Sequence, residues 1–184
     1  MYNKNQYSRK IFDPRSGRDI DVENISKMKG YGWVNFQDSE HTAANRQLIL
    51  DGVETPLTYT SPFLFEQTQY APQNDAVPLT LWNETTQRLA PFVLNSVYNV
   101  RITIFAQATT AATGSYVDIA VRVPNGIAVF EDSKPLVKGT GVQRIVVNAK
   151  FYIDQPAIDN GLDFTIQGHG TNLNIYNKSL LIES

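Results

Sequence analysis

The chain has 184 residues, no cysteine, and 16 Lys/Arg against 18 Asp/Glu, for a formal net charge of −2. Without thiols, disulfides and thiolate metal sites are excluded, while 42% hydrophobic and 11% aromatic residues exclude the disordered class and suffice for one domain with a core. Charged residues make up only 18%, below the usual fraction of about 25%, and Thr, Asn, Gln and Ser fill the difference, as in sheet proteins that contact other protein.

The charge is uneven. Residues 1–29 hold seven Lys/Arg and four acids, a net of +3, and the remainder holds nine and fourteen, a net of −5. A basic arm on an acidic body is expected to dock on an acidic partner surface. Apolar residues are sparse in this segment, and Asp13-Pro14 and Ser16-Gly17 are turn signals, so residues 1–29 read as an extended arm that orders when covered. No apolar run approaches the roughly 20 residues a membrane helix needs, and MYNKNQYSRK lacks the apolar stretch of a signal peptide. The expectation is a soluble protein made in a cytoplasm, with no membrane partner.

The folded domain is expected over residues 30–184, opening at Tyr31-Gly32-Trp33-Val34-Asn35-Phe36, whose rings are candidates for burial. Next come a strand at 48–50 closed by Asp51-Gly52 and apolar patches at 57–60 and 63–70, bounded by prolines 56, 62 and 72. Proline cannot donate to a ladder, so these patches read as edge strands or connections. Val77–Trp82 and Leu89–Leu94 follow. The clearest signal lies between Val97 and Ile153. Val100, Ile102, Ile104 and Ala106 alternate with Asn99, Arg101, Thr103 and Gln107; Val117, Ile119, Val121 and Val123 alternate with Asp118, Ala120 and Arg122; Ile145, Val147, Ala149, Phe151 and Ile153 alternate with Val146, Asn148, Lys150 and Tyr152. Period-two patterning marks half-buried strands. The small-residue loop between Gln107 and Tyr116 is expected to join two of them as a hairpin.

Pro124-Asn125-Gly126 and Asp132-Ser133-Lys134-Pro135 read as turns around a short strand, and Asp159-Asn160-Gly161 as a turn before LDFTIQ. TNLNIY and SLLI close the chain. The pattern gives about nine to eleven strands at roughly 8–12-residue spacing and no helix, which indicates an all-β sandwich or barrel.

No constellation for catalysis stands out. His41 sits in a polar loop with Asp38 and Glu40, and His169 sits between glycines. Neither shows a nucleophile beside a base held by a carboxylate, and two distant histidines do not make a zinc site. Asp19, Asp21 and Glu23 lack the spacing of a calcium loop. The reading is no enzyme, no metal and no cofactor. Tyr2, Tyr7 and Phe12 in a basic arm raise single-stranded nucleic acid as a partner, but the arm's own acids and the acidic body weigh against it. Three glycosylation sequons read as chance. Tyr152, Val146, Phe105 and Ala120 on nominally outward strand faces suggest that part of those faces meets another sheet or another subunit.

From Tyr31-Gly32-Trp33-Val34-Asn35-Phe36 through SVYNVRITIFAQ and the strands after it, about residues 31–182, the chain resembles virion structural proteins of tailed bacteriophages. These are of the capsid decoration or head-fibre type, with a jelly-roll domain like that of C1q and tumour necrosis factor. The resemblance implies a homotrimer on the phage head surface, a cement protein that stabilises the shell and takes the major capsid protein as partner. It implies that Tyr98, Phe105, Tyr116 and Tyr152 line the trimer interface, and that the arm anchors to the capsid through Arg9, Lys10, Phe12, Arg15 and Arg18. The C-terminal NKSLLIES departs from the last strand of the C1q pattern. Two rivals are a phage tail or fibre module that binds host glycan through loops 37–47 and 107–116, and an enzyme on a jelly-roll scaffold.

Overall fold

The alternating segments form the long strands of two facing antiparallel sheets. The computed structural model describes residues 10–13, 18–21, 33–60, 65–67, 73–74, 77–78, 81–110 and 113–183, with side chains over 34–60, 81–110 and 113–183. In chain order the strands are β1 (Lys10–Asp13), β2 (Arg18–Asp21), β3 (Trp33–Gln37), β4 (Gln47–Ile49), β5 (Thr55–Pro56), β6 (Phe65–Gln67), β7 (Gln73–Asn74), β8 (Val77–Pro78), β9 (Trp82–Asn83) and β10 (Arg88–Leu89). Then follow β11 (Val97–Ala108), β12 (Tyr116–Arg122), β13 (Ala128–Pro135), β14 (Val142–Tyr152), helix α1 (Gln155–Asn160), β15 (Asp163–His169) and β16 (Leu173–Glu183).

The larger sheet has the order β14-β11-β16-β3-β6, with β4 also paired to β16. The smaller sheet has the order β13-β12-β15-β5. The sandwich core lies between them. Val100, Ile102, Ile104 and Ala106 of β11, Ile145, Val147, Ala149 and Phe151 of β14, and Leu180 and Ile182 of β16 are all buried. They meet Val117, Ile119 and Val121 of β12 and Phe164 and Ile166 of β15, also buried. Each such valine, leucine, isoleucine and phenylalanine contributes about 1.5–3 kcal/mol relative to exposure, so the alternation decides which face of each strand turns inward. One end of the core is aromatic: Trp82 lies 5.7 Å from Phe36, 5.8 Å from Tyr59 and 5.9 Å from Phe164, centroid to centroid.

Several expectations are corrected. β11 and β12 are not a hairpin: β11 pairs with β14 and β16, and β12 with β13 and β15, so the loop between them crosses from one sheet to the other. The segment Asp132–Pro135 is not a turn but the second half of β13, held by its pairing to Tyr116–Ile119. TNLNIY and SLLI belong to one strand, β16, interrupted by a bulge. Within the arm, the described residues of β1 and β2 pair with each other, Ile11 opposite Ile20. Tyr31 and the side chain of Trp33 lie outside the described residues.

A short helix was also hidden in the turn signals. The Asp154 carboxylate caps α1 by accepting from the Ala157 N–H at 3.0 Å, Pro156 sits in its first turn, and Ala157 is buried. Gly161 ends it at φ 73° and ψ −175°, with its N–H donating to the Ala157 carbonyl. That backbone region is nearly closed to other residues. A β-carbon there would also stand 2.9 Å from the Leu89 carbonyl oxygen.

Candidate interaction surface and a buried charge cluster

The two outer faces of the sandwich differ in chemistry. On the smaller sheet, alternate residues of β12 and β15 turn polar groups outward. The Tyr116 ring stacks on His169 at 4.3 Å and 8°. His169 Nε2 lies 2.8 Å from Asp118 Oδ2, and the Ser133 hydroxyl donates to the other Asp118 oxygen. A hydrolytic triad needs the imidazole against the hydroxyl; here both address the carboxylate, so the hydroxyl gains no base. Farther along, Glu54 accepts from the Thr165 hydroxyl at 2.6 Å and lies 2.8 Å from Arg122 Nε. Arg88 Nε donates to Asp163 at 2.7 Å. On this face the charged side chains lie in ion-pair contact with one another.

The outer face of the larger sheet is apolar at its centre. Phe105 and Tyr176 stack at 5.8 Å, and the Arg46 guanidinium covers the Tyr176 ring at 4.9 Å. Val146 and Leu181 are half-buried beside Thr103, which is only 7% exposed although it points away from the core. Val97 and Tyr152, paired across β11 and β14, are 43% and 54% exposed. Arg101, Arg144 and Lys150 stand around this strip. A shallow groove of about 310 Å³ runs past Arg101, Lys150, Leu181 and Glu183.

The four aromatic residues expected at one subunit contact therefore do not share a surface. Tyr98 has 0% exposure and packs in the core; it has the same parity as Val100 and Ile102, and a side chain without exposed area offers none to a neighbour. Tyr116 lies on the smaller sheet, opposite the others. Phe105 and Tyr152 alone remain together on the outer face of the larger sheet. Of the arm residues, Lys10, Phe12 and Arg18 stand in the β1–β2 hairpin, with Phe12 opposite Asp19; their side chains lie outside the described residues, as do Arg9 and Arg15 altogether.

A second feature, invisible in the alternation, is a charge cluster inside the sandwich. Thr103 of β11 pairs with Ser179 of β16 and Phe105 with Tyr176, so two residues of β16 oppose the single Ile104. Asn177 takes φ 46° and donates its N–H to the His41 carbonyl at 2.8 Å. This bulge reverses the parity of the strand and turns Lys178 inward, where its side chain has 0% exposure. Lys178 Nζ lies 3.1 Å from Asp38 Oδ2, donates to Gln47 Oε1 at 2.7 Å, and is 3.1 Å from His41 Nδ1. His41 Nδ1 is also 2.9 Å from Asp38 Oδ2. The other oxygen, Asp38 Oδ1, accepts from the backbone N–H groups of Glu40 and Thr60, each at 3.3 Å. The Tyr59 ring covers the ammonium at 5.9 Å.

Burial shifts these groups. Removal from water pulls the Lys178 ammonium below the usual lysine range, against the attraction of Asp38. For Asp38 burial acts upward, but the charge and hydrogen bond of Lys178, with His41 and Thr60, bring the carboxyl below its ordinary value. Burial, then the Asp38 charge, pushes the Tyr59 phenol up. The sequence places His41 beside Asp38 and Glu40 but does not point to Lys178, because nothing in Asn177-Lys178-Ser179 marks the bulge that turns it inward.

No family model matches the chain, and no curated protein matches it. Among solved structures it is similar to an Eiger TNF from S. frugiperda, at 6% identity and a TM-score of 0.51, over 85% of this chain and 92% of that one. It is similar to the PRD1 vertex protein P5 at 15% identity and a TM-score of 0.47, over 84% and 97% of the two chains. An arabinose-bound α-L-arabinofuranosidase follows at 15% identity and 0.37, over 83% of this chain and 27% of the other. At these identities the likeness is one of fold. The first carries it: the chain is all-β, as the strand pattern predicts, and folds as a TNF-like jelly roll, as the resemblance implies.

Proposed function

We propose that this chain is a non-enzymatic virion structural protein, a capsid decoration protein that trimerises through the outer face of its larger sheet and binds the phage head through residues 1–29. The observation that carries the reading is the asymmetry of the two faces. The smaller sheet sets its charged side chains in ion-pair contact with one another, while the larger sheet presents Phe105, Val146 and Leu181 half-buried around the covered Tyr176 ring, with Arg101, Arg144 and Lys150 about them. An apolar centre with a polar rim is the anatomy of a protein interface. The arm carries a net charge of +3 against −5 on the body, which suits an acidic docking surface, and three arms on one trimer raise each other's effective concentration.

The test is the absolute mass in solution of the full chain and of residues 30–184, followed by co-sedimentation of both with phage heads of the host system. A species near three times 20.6 kDa, trimeric with or without the arm but head-binding only with it, is the expected result. A monomer in both forms overturns the trimer, and head binding that survives removal of the arm overturns the anchor.

A further inference from the structure

We propose that Lys178 and Asp38 condense in the folded chain into an intramolecular isopeptide bond, joining Nζ to the side-chain carboxyl carbon and releasing one water. The bond would tie the end of β3 to β16, the first and last strands of the larger sheet's body, which already pair there through the Asp38 N–H and the Lys178 carbonyl at 2.9 Å.

Every part such a condensation needs is in place. The nucleophile and the carboxyl are 3.1 Å apart, and both side chains have 0% exposure. Fixed contact of this kind raises effective molarity by many orders of magnitude. Gln47 Oε1 holds Nζ from one side, and the Tyr59 ring closes the site. The two carboxyl oxygens have different surroundings. Oδ1 faces the backbone N–H groups of Glu40 and Thr60, which is where negative charge develops when an amine adds to the carbon. Oδ2 faces Nζ and His41 Nδ1, the two groups able to deliver protons to it.

The step balances without a co-reactant. One ammonium proton passes to Oδ2, giving a neutral amine beside a carboxylic acid. The Nζ lone pair then forms the N–C bond while the carbonyl π pair moves onto Oδ1. His41 Nδ1, 3.1 Å from Nζ, takes a second proton from nitrogen and returns it to Oδ2. The C–Oδ2 bond breaks, its electron pair leaves with the oxygen as water, and the pair on Oδ1 restores the carbonyl. Nothing is oxidised or reduced. The His41 side chain is 15% exposed while its partners are sealed, so it is the edge of the cluster past which that water departs. Burial works toward the uncharged amine, since it pulls the ammonium below its usual range, while the neighbouring ammonium keeps the carboxyl below its own. His41 touches the reacting atoms and acts as a catalytic residue in this reaction.

The experiment is intact-mass spectrometry on the full-length chain after folding, with a tryptic map. The expected wild-type mass is one water below that of the sequence. The map is expected to show no cleavage after Lys178 and a branched peptide joining the segments around positions 38 and 178. Lys178→Met is expected to restore the full sequence mass. His41→Ala is expected to slow the appearance of the linked form by about 100-fold, the size of a general acid–base contribution. A folded wild-type chain of full sequence mass overturns the proposal. So does a water deficit that persists in Lys178→Met, or a map in which trypsin still cuts after Lys178. The wild-type measurement decides the question even where a variant does not fold.

Discussion

Tyr176 and Lys178 stand two residues apart on β16 yet point to opposite sides of the sheet. The Tyr176 ring lies outside against Phe105, and the Lys178 side chain lies inside against Asp38. In a regular strand, residues two apart share a face. Asn177, at φ 46°, supplies the extra residue that breaks the rule. Without it Leu180 and Ile182 would turn outward and the core would lose one wall. Asn177→Val is expected to cost about 1–3 kcal/mol, because a β-branched residue strains at positive φ. Asn177→Gly is expected to stay near the wild type. Chemical denaturation separates the two, and an equal loss in both would place the role in the asparagine side chain instead.

Most of the fold was legible in the alternation. Val100 to Ala106, Val117 to Val121 and Ile145 to Ile153 face the interior as the pattern requires. The failures have local causes. The resemblance puts Tyr98 at a subunit contact, although its parity with Val100 puts it inside. The strands β11 and β12 were joined because they are neighbours in sequence, and periodicity says nothing about which strands pair. The bulge was invisible, since positive φ at an asparagine leaves no mark in hydropathy. Nothing in the sequence marks Lys178 as buried, so the cluster around it is hidden together with the bulge.

The outer face of the larger sheet is a place where apolar contact and stability can be told apart. Val146→Arg with Leu181→Arg puts two desolvated cations into the proposed contact and is expected to yield a folded monomer. Tyr116→Ala, on the opposite sheet, is expected to leave the oligomer intact. Tyr98→Ala removes a buried ring and is expected to cost about 3–5 kcal/mol with no selective effect on assembly. Sedimentation velocity beside thermal unfolding reads all three.

Gly161 is fixed by conformation and by space together. Its backbone region is open essentially to glycine alone, and an added β-carbon would press on the Leu89 carbonyl at 2.9 Å, the same oxygen that accepts from the Leu162 N–H. Gly161→Ala is expected to lower stability by at least about 1–3 kcal/mol, visible as a fall in melting temperature. An unchanged melting temperature would show that α1 and the strand pair it abuts move apart at little cost.

The buried cluster gives a second stability test. Lys178→Met leaves the Asp38 carboxylate sealed without its cation, and breaking such a pair from one side costs about 3–5 kcal/mol. Adding Asp38→Leu removes the stranded charge and is expected to recover part of the loss. What the double variant does not recover measures the covalent link. By the chain-entropy relation, closing a loop between residues 38 and 178 contributes about 5 kcal/mol. Full recovery would mean that the cluster acts only as an ion pair.

The pH dependence of condensation follows from the direction of both shifts. The reactive form, a neutral amine beside a carboxylic acid, carries the same number of protons as the ion pair, so the rate is expected to be level wherever the pair holds one proton. The Asp38 carboxyl is held below its ordinary value of 3.8, so the acid limb, where a second proton binds and the amine is lost, lies below that pH. The Lys178 ammonium is held below its ordinary value of 10.5, so the alkaline limb, where no proton remains to leave with the oxygen, begins below that pH. A level rate between two falling limbs is the expected profile, read by mass from chain refolded at each pH. His41→Ala is expected to lower the plateau, because no imidazole then takes the second proton from nitrogen. A rate that instead rises steadily to the ordinary lysine range would mean that Lys178 reacts from a solvated site rather than from the sealed one.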